Sequence, residues 1–330
     1  MTDETVYLNT FSSDLEPLDL TGLDEFKSLL QSAQDLDIEV PDTFRYVSRN
    51  TVLRHQRFHY LEWGREDAEP LVLLHGGNQS AHSWDLVSLH LSAHYRVFAL
   101  DQRGHGDSEW NRGAHYAISD MMPDARDFLT ASGVSRSLVV GHSMGGMVTL
   151  ALACAHPELV RGVVIVDIGP EVGQRGARMI REFVGRNIEF DDMEEFLDRV
   201  EKYDRYRTRA HIERTLKYNL IRRADGRYIT KADKRRYVET GDVADTDARP
   251  RLPGVPSLED VANLEVPVLL VRGGNSNVLE QAAAERFVDA LPNGELRVVP
   301  DCGHNVASQN TPGFLAAIKP FLNELAGGEV

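Results

Sequence analysis

The sequence predicts an α/β protein with a mostly parallel, doubly wound sheet covered by helices. Two observations favour this class. Short apolar runs of strand length, such as 71–74, 97–100 and 163–166, alternate with segments of helical length. The chain has 330 residues, of which 42% are hydrophobic, so it is long enough to bury a large core.

A serine between two glycines supplies the most specific motif. Residues 141–145 read Gly-His-Ser-Met-Gly, which fits the pattern G-x-S-x-G. The apolar run 137–140 before the motif predicts a buried strand, and 146–153 after it predicts a helix packed on that strand. A serine on such a tight strand-turn-helix connection projects out of the sheet. We therefore predict that Ser143 is a nucleophile.

Other short motifs accompany this one along the chain. They are His-Gly-Gly at 75–77, Asp-Gln-Arg-Gly-His-Gly-Asp-Ser at 101–108 and Gly-His-Asn at 303–305. In their order and spacing, these blocks and the serine motif resemble the α/β-hydrolase family over about residues 52–325. The resemblance implies the α/β-hydrolase fold.

The resemblance also divides the chain into regions. It implies a core made of residues 52–170 and 257–330. The stretch 171–256 breaks the alternation of strands and helices. In this family an insertion after the sixth strand covers the active site, so we interpret 171–256 as a helical cap. Within it we predict helices over 183–188, 193–203 and 211–220.

Residues 1–51 precede the motifs and are predicted to form an acidic N-terminal extension. The first 42 residues carry eleven acidic side chains and one basic side chain. Apolar residues at positions 23, 26, 29 and 30 predict a helix over 23–36. Three locations remain open for this helix: on the core, over the active-site mouth, or against a second subunit of a homodimer.

A serine hydroxyl is a poor nucleophile until a neighbouring base takes its proton, and histidine suits this role because its pKa lies near neutrality. The family places its catalytic histidine on the loop after the last strand. By match to that position, His304 is the implied base. The purely structural alternative is a loop histidine that makes local hydrogen bonds.

The carboxylate that should orient this histidine departs from the commonest family pattern. Most members carry it on the loop after the seventh strand, but here residues 273–279 contain no aspartate. A second family arrangement places the acid at the end of the sixth strand, where Asp167 follows an apolar run. We predict that Asp167 is the acid. The alternatives are Glu280, a dyad supported by Asn277, and a role for Asp167 in bracing the turn after it.

Two backbone N–H groups are expected to meet the oxyanion that forms when the serine attacks a carbonyl. One belongs to Met144, and the other, by match to the family's His-Gly-x loop, belongs to Gly77. We predict that Asn78 and Trp84 line the same mouth, although Trp84 fits equally well as a core aromatic residue. His142 lies next to the nucleophile and is assigned to the substrate-binding group, with a structural role as the alternative.

A serine at this position implies transfer of an acyl group to water. Haloalkane dehalogenases and epoxide hydrolases of the same family use aspartate there, so those activities are disfavoured. The best prediction is a serine hydrolase that cleaves a small-molecule carboxylic ester or lactone through an acyl-enzyme. The alternatives are cleavage of a carbon–carbon bond or an amide, acyl transfer to another acceptor, and a non-hydrolytic ligand receptor on this scaffold.

The distribution of charge bears on the partners. The net charge of −15 disfavours nucleic acid as a partner. Residues 199–236 nevertheless carry fourteen basic and five acidic side chains. This basic stretch either forms a solvated surface partly paired with the acidic extension, or turns some arginines toward the pocket and favours an anionic substrate.

The sequence contains few signals for other classes of protein. No apolar run approaches the roughly twenty residues of a membrane span, and no His or Cys spacing typical of a metal site occurs. We therefore expect no membrane partner, no metal and no cofactor. The acidic start of the chain is unlike a secretion signal, which makes a cytoplasmic location the expectation.

Overall fold

An eight-stranded sheet runs through the protein in the computed structural model, which describes residues 24–134, 136–171, 189–235 and 254–326. The strands of the described chain are β1 (Tyr46–Leu53), β2 (Gln56–Trp63), β3 (Glu69–Leu74), β4 (Tyr95–Leu100), β5 (Ser137–His142), β6 (Val160–Val166), β7 (Glu189–Phe190), β8 (Leu220–Arg222), β9 (Tyr228–Thr230), β10 (Val268–Gly273) and β11 (Gly294–Val299). The sheet has the order β1-β2-β4-β3-β5-β6-β10-β11. Its first two contacts, β1 with β2 and β2 with β4, are antiparallel, and the other neighbours pair in parallel.

Helices cover both faces of this sheet. Across the described ranges, we find no helix that is both long enough and apolar enough to cross a membrane. The helices are α1 (Asp24–Asp35), α2 (Asp85–Leu91), α3 (Ile118–Ala131), α4 (Met144–Ala155), α5 (Met193–Glu201), α6 (Arg209–Leu216), α7 (Leu258–Val261), α8 (Gln281–Ala290), α9 (Val306–Gln309) and α10 (Thr311–Ala326).

The two faces of the sheet carry separate hydrophobic cores. Successive side chains of a strand point to opposite faces. On β3, Val72 and Leu74 accordingly pack with residues of α3, α4 and α8, whereas Leu71 and Leu73 pack with residues of α1, α2 and α10. The central strands are buried on both sides, which explains their continuous apolar runs. The predicted doubly wound α/β-hydrolase fold is confirmed.

Helix α1, in the acidic extension, packs on the core. Phe26 is buried, and its ring centroid lies 5.2 Å from that of Tyr46 and 6.2 Å from that of Trp63. Asp35, at the end of α1, lies 3.7 Å from His211 on α6. Of the three locations left open for this helix, the structure therefore shows the one on the core. The end of the helix also reaches the segment inserted between β6 and β10 (the inserted segment). Strand β1 also begins within the range assigned to the extension.

The segment between β6 and β10, where we predicted the cap, contains strands as well as helices. Helices α5 and α6 correspond to predicted ones. The three short strands β7, β9 and β8 form a small antiparallel sheet, which the sequence did not predict because strands of two or three residues have no readable period. The helix predicted over 183–188 lies outside the described residues.

This segment is anchored on the core through residues 231–235. The N–H of Asp233 donates to the carbonyl of Gly104 at 2.8 Å, and the hydroxyl of Tyr116 donates to the buried Asp233 carboxylate. Lys231 forms an ion pair of 2.6 Å with Asp107. Through these contacts the segment lies against the loop that follows β4.

Candidate active site

Ser143 lies on the tight connection between β5 and α4. Its φ of 51° and ψ of −113° are a backbone conformation that residues other than glycine rarely adopt. A Cβ atom on Gly141 would lie 2.3 Å from the carbonyl oxygen of Gly145, and one on Gly145 would lie 2.2 Å from that of Leu74. The glycines of the motif are therefore required by close backbone approach.

His304 connects the serine to a carboxylate. It lies on the loop between β11 and α9, and its Nε2 atom is 2.9 Å from Ser143 Oγ. Its Nδ1 atom is 2.7 Å from Oδ2 of Asp167. With a proton on Nδ1, the imidazole donates to the carboxylate and accepts the serine proton at Nε2. The structure thus brings together the three residues predicted for the triad.

Asp167 follows β6 and is fully buried. Its Oδ1 atom accepts a hydrogen bond of 3.0 Å from the N–H of Gly273, and its Oδ2 atom accepts one from the hydroxyl of Ser276. Gly273 and Ser276 belong to β10 and the loop after it. Buried charges need such partners, so this loop supports the carboxylate that it does not itself supply.

The alternative acids on that loop lie elsewhere. Glu280 is the residue before α8, and its side chain is exposed. Asn277 is exposed as well. Our sequence reasoning missed Ser276. The signal that could have identified it is a small polar residue in a loop where the family's usual acid is missing.

The two predicted oxyanion donors follow neighbouring strands. Gly77 comes after β3 and Met144 after β5, and these strands pair in parallel, so both residues lie at the same edge of the sheet. The N–H of Gly145 donates to the carbonyl of His75 at 3.2 Å, which joins the two connections. Met144 is the first residue of α4, where the helix dipole favours negative charge.

Trp84 and Asn78 occupy different environments. Trp84 is 2% exposed, and its ring centroid lies 6.0 Å from that of Phe314, so the structure places it in the core rather than at the mouth. Asn78 is half-buried and accepts a hydrogen bond of 3.4 Å from Nζ of Lys234. Residues 75–78, which follow β3 and carry the proposed oxyanion donor Gly77, are called the oxyanion loop. Of the two residues, Asn78 is therefore the one that connects this loop to the inserted segment.

His142, the residue before Ser143, is buried. Its Nε2 atom lies 2.9 Å from the backbone carbonyl of His304, and its Nδ1 atom lies 3.1 Å from Oε1 of Gln79. Burial, together with the nearby charge of His304, lowers the pKa of His142 to about 3. The ring is therefore neutral near pH 7, and its contacts match the structural alternative rather than the substrate-binding role assigned to it.

The arginines of the basic stretch form ion pairs. Most of these pairs lie within the inserted segment, and on exposed surfaces each contributes little to stability. In the described part of the chain the basic stretch thus forms a paired surface, in line with the first of the two alternatives, although its described partners lie mostly in the inserted segment. The pairs are Arg199–Glu195, Arg207–Asp204, Arg209–Glu194, Arg223–Glu189, Arg227–Asp191 and Arg235–Asp233, together with Arg214–Asp85, whose aspartate lies on α2.

One group of side chains has the composition of a metal site. Ligand atoms of His59, Asp101 and Asp107 lie within 4.8 Å of one another. Hydrogen bonds already engage them, since His59 contacts Asp101 at 2.7 Å and Ser48 at 2.8 Å. Asp101 also accepts the N–H of Ala81 at 2.6 Å. This arrangement fits a structural brace after β4 better than a metal centre.

Comparison with known proteins identifies relatives along most of the chain. The family described as the alpha/beta hydrolase fold matches residues 69–311. Esterase Rv0045c of Mycobacterium tuberculosis is 29% identical over 312 residues, which cover 92% of this chain and 98% of that protein. The 2-(acetamidomethylene)succinate hydrolase of Mesorhizobium japonicum is 26% identical over 256 residues, covering 77% of this chain and 88% of the relative.

Solved structures agree with these matches. A structure of the M. tuberculosis esterase superposes with a TM-score of 0.72 and 26% identity, covering 90% of this chain and 98% of the esterase. The structure of E-2-(acetamidomethylene)succinate hydrolase gives a TM-score of 0.74 at 22% identity, over 84% of this chain and 99% of the other, and supports the fold alone. The chain therefore belongs to the α/β-hydrolase family and is one of its hydrolases.

Proposed function

We propose that this protein is a serine hydrolase that cleaves small carboxylic esters or lactones, with Ser143, His304 and Asp167 as its triad. A single observation carries the proposal. The imidazole of His304 lies 2.9 Å from the serine hydroxyl on one side and 2.7 Å from the buried carboxylate on the other. This is the geometry that a base needs to activate a serine.

The first half of the reaction forms an acyl-enzyme. Oγ of Ser143 attacks the carbonyl carbon of the ester while its proton moves to Nε2 of His304. The carbonyl oxygen becomes negative and is met by the N–H groups of Met144 and Gly77. When the tetrahedral intermediate collapses, the carbon–oxygen bond to the leaving group breaks, and His304 returns the proton to the departing alcohol.

The second half releases the acid. Water attacks the acyl carbon while His304 takes one of its protons, and collapse of the new intermediate returns a proton to Oγ of Ser143. Asp167 holds the imidazole and stabilises the imidazolium that forms in each half. Its buried hydrogen bonds from Gly273 and Ser276 support that role.

Two observations support esters that carry a carboxylate. Lys234 donates to Asn78, the residue after the proposed oxyanion donor Gly77, and so brings a positive charge to the oxyanion loop. The M. japonicum relative is named as the hydrolase of a succinate derivative, which is a dicarboxylate. We propose that Lys234 attracts an anionic group of the substrate.

Hydrolysis of p-nitrophenyl acetate and butyrate tests the proposed reaction. We expect multiple turnovers by the wild type and a loss of at least about 10³-fold in kcat for Ser143→Ala. Ser28→Ala, which changes an exposed serine on α1, is the matched control and should keep full activity. A wild-type protein without turnover, but stabilised against heat by small ligands, would instead indicate a receptor.

A pair of esters tests the anionic preference. The kcat/KM of Lys234→Met should fall about 10-fold for a succinate monoester, in line with the loss of a charged hydrogen bond, and should change little for a neutral butyrate ester. Lys202→Met removes an exposed lysine of the same segment and serves as the control. Equal losses for both esters would exclude a role for Lys234 in recognising charge.

A further inference from the structure

Gln79 contacts three of the connections that form the candidate active site. Its Oε1 atom accepts a hydrogen bond of 2.9 Å from the N–H of Gly76 in the oxyanion loop. The same oxygen lies 3.1 Å from Nδ1 of His142, the residue before the nucleophile. Its Nε2 group donates to Oδ1 of Asn305 at 3.1 Å, and Asn305 directly follows the proposed base. One side chain thus bonds to the oxyanion loop and to the loop of the proposed base, and lies against the residue before Ser143.

The contact with Gly76 bears directly on the oxyanion loop. The carbonyl of Gly76 accepts a hydrogen bond of 2.7 Å from Nδ1 of His75, whose Nε2 atom accepts the N–H of Gln102. Because Gln79 accepts the N–H of Gly76, hydrogen bonds fix both the N–H and the carbonyl of Gly76. Because its neighbour Gly77 is the proposed oxyanion donor, the direction of that donor depends on these two contacts.

Close packing leaves little freedom around this contact. A Cβ atom on Gly76 would lie 2.7 Å from Nδ1 of His142 and 3.0 Å from Oε1 of Gln79. Real Cβ contacts under 3.0 Å are essentially absent from proteins, so a side chain at position 76 would displace the ring of His142.

His142 connects the same group to the backbone of the base. The carbonyl of His304 can only accept, so Nε2 of His142 carries the proton in their 2.9 Å contact. A neutral imidazole has one N–H, which leaves Nδ1 without a proton to share with Gln79. The firm attachments of Gln79 are therefore those to Gly76 and Asn305.

We propose that Gln79 is a positioning residue, which holds the oxyanion loop in register with the His304 loop. This inference rests on the proposed serine hydrolase function, because it concerns the alignment of that triad with its oxyanion donors. Gln79 does not touch the reacting atoms. Its effect must therefore reach the reaction through Gly76 on one side and Asn305 on the other.

Substitution of Gln79 by methionine tests the proposal, because methionine has a similar length and cannot replace the amide hydrogen bonds. We expect the kcat of Gln79→Met for p-nitrophenyl butyrate to fall about 10- to 100-fold, as small misplacements of catalytic groups do. KM should change less than about twofold, because the alignment affects the transition state more than the bound substrate. Gln281→Met changes an exposed glutamine on α8 and should behave as the wild type.

A double-mutant cycle separates positioning from a general loss of structure. Asn305→Leu removes the acceptor of the Gln79 amide, so the double variant should be little slower than the slower single variant. Gln79→Glu keeps the acceptor for Gly76 but loses the donor to Asn305, and its kcat should lie between those of the wild type and Gln79→Met.

The outcomes distinguish this inference from the proposed function. Loss of kcat in Gln79→Met with an unchanged melting temperature, combined with non-additivity in the cycle, supports positioning. A normal kcat in Gln79→Met, or losses that simply add, overturns it while leaving the triad assignment intact. If Ser143→Ala keeps the wild-type rate, the proposed function itself fails, and the positioning role fails with it.

Discussion

Ser276 donates a hydrogen bond to Oδ2 of Asp167, the same carboxylate oxygen that faces Nδ1 of His304. The two residues follow β10 and β6, which pair in parallel within the sheet. In the family, the loop after the seventh strand commonly carries the acid, and here it supplies hydrogen-bond donors to an acid on the neighbouring strand. Relative to that common arrangement, the proposed triad acid lies one strand away, and the loop after β10 supports it through hydrogen bonds.

Asp167→Asn should lower kcat by about 10⁴-fold, because an amide can neither stabilise the imidazolium nor hold the correct tautomer of His304. The fold should be retained, since asparagine has the same shape. Initial rates with p-nitrophenyl butyrate and a thermal melt of each variant measure both quantities. Glu280→Gln is the control and should be fully active. Normal turnover in Asp167→Asn, with activity lost in Glu280→Gln, would move the acid to the loop.

Ser276→Ala should lower kcat about 10-fold, with KM nearly unchanged. The hydroxyl donates to Asp167 and accepts the N–H of Val278 at 3.1 Å, so its removal loosens both the carboxylate and the loop. Hydrogen bonds to charged groups contribute about 1.5–3 kcal/mol, which sets the scale of the loss. Steady-state kinetics measure it, with the exposed Ser119→Ala as control. A kcat equal to that of the wild type would show that Asp167 needs no support from this loop.

The strand-turn-helix connection at Ser143 and the sheet were predictable because their information is local. The G-x-S-x-G motif lies between a strand and a helix that adjoin it in sequence, and buried parallel strands are continuous apolar runs. Position within the family's order of motifs then identified His304 and Asp167 as neighbours.

The supporting residues were not predictable in this way. Ser276 lies 109 residues from Asp167, and Gln79 lies 226 residues from Asn305. No periodicity or spacing relates such pairs, because the sheet order alone brings them together. The core location of Trp84 likewise depends on its contact with Phe314 from α10. Local sequence thus indicated the residues that we propose as reacting groups, whereas tertiary contacts decide what aligns them.

Asp85 is predicted to stabilise the contact between the core and the inserted segment. Its Oδ2 atom lies 3.2 Å from Nη1 of the buried Arg214 and 3.1 Å from Nδ1 of His82. The ring of His82 stacks on that of Tyr218 with a centroid distance of 3.5 Å. Asp85→Asn leaves a buried guanidinium without its counter-charge, so the free energy of unfolding should fall by about 3 kcal/mol.

This contact should also depend on pH. Burial lowers the pKa of His82, but the charge of Asp85 and its hydrogen bond outweigh burial and raise it overall. A histidine with a raised pKa stabilises the fold below its ordinary value of about 6.5, and that contribution is lost as pH rises through the higher folded value. Urea titrations from pH 6 to pH 8 should therefore show a decline in the wild type that is weaker in Asp85→Asn. Parallel declines in both proteins would count against Asp85 as the cause.

Glu62 forms ion pairs with three arginines on the antiparallel side of the sheet. Its carboxylate is 1% exposed and lies 2.8 Å from Arg45, 2.7 Å from Arg49 and 2.8 Å from Arg96. Removing one partner of a buried ion pair leaves uncompensated charge, which costs about 3 kcal/mol or more. Glu62→Gln should therefore lower the free energy of unfolding at pH 7 by about that amount, as measured by urea titration.

The dependence of the free energy of unfolding on pH below pH 7 identifies charge as the cause of this loss. Burial raises the pKa of Glu62, but the hydrogen bond from Arg45 and the charges of Arg96, Arg45 and Arg49 outweigh burial and lower it overall. A carboxylate with a lowered pKa stabilises the fold above its unfolded value and loses that contribution as pH falls through the folded value. The difference in free energy of unfolding between wild type and Glu62→Gln should therefore narrow on acidification below about pH 4.

The control is Glu66→Gln, whose side chain is 64% exposed and also pairs with Arg45. It should change the free energy of unfolding by less than about 0.5 kcal/mol. A difference for Glu62→Gln that is equal at pH 7 and pH 3 would attribute the loss to packing rather than to charge.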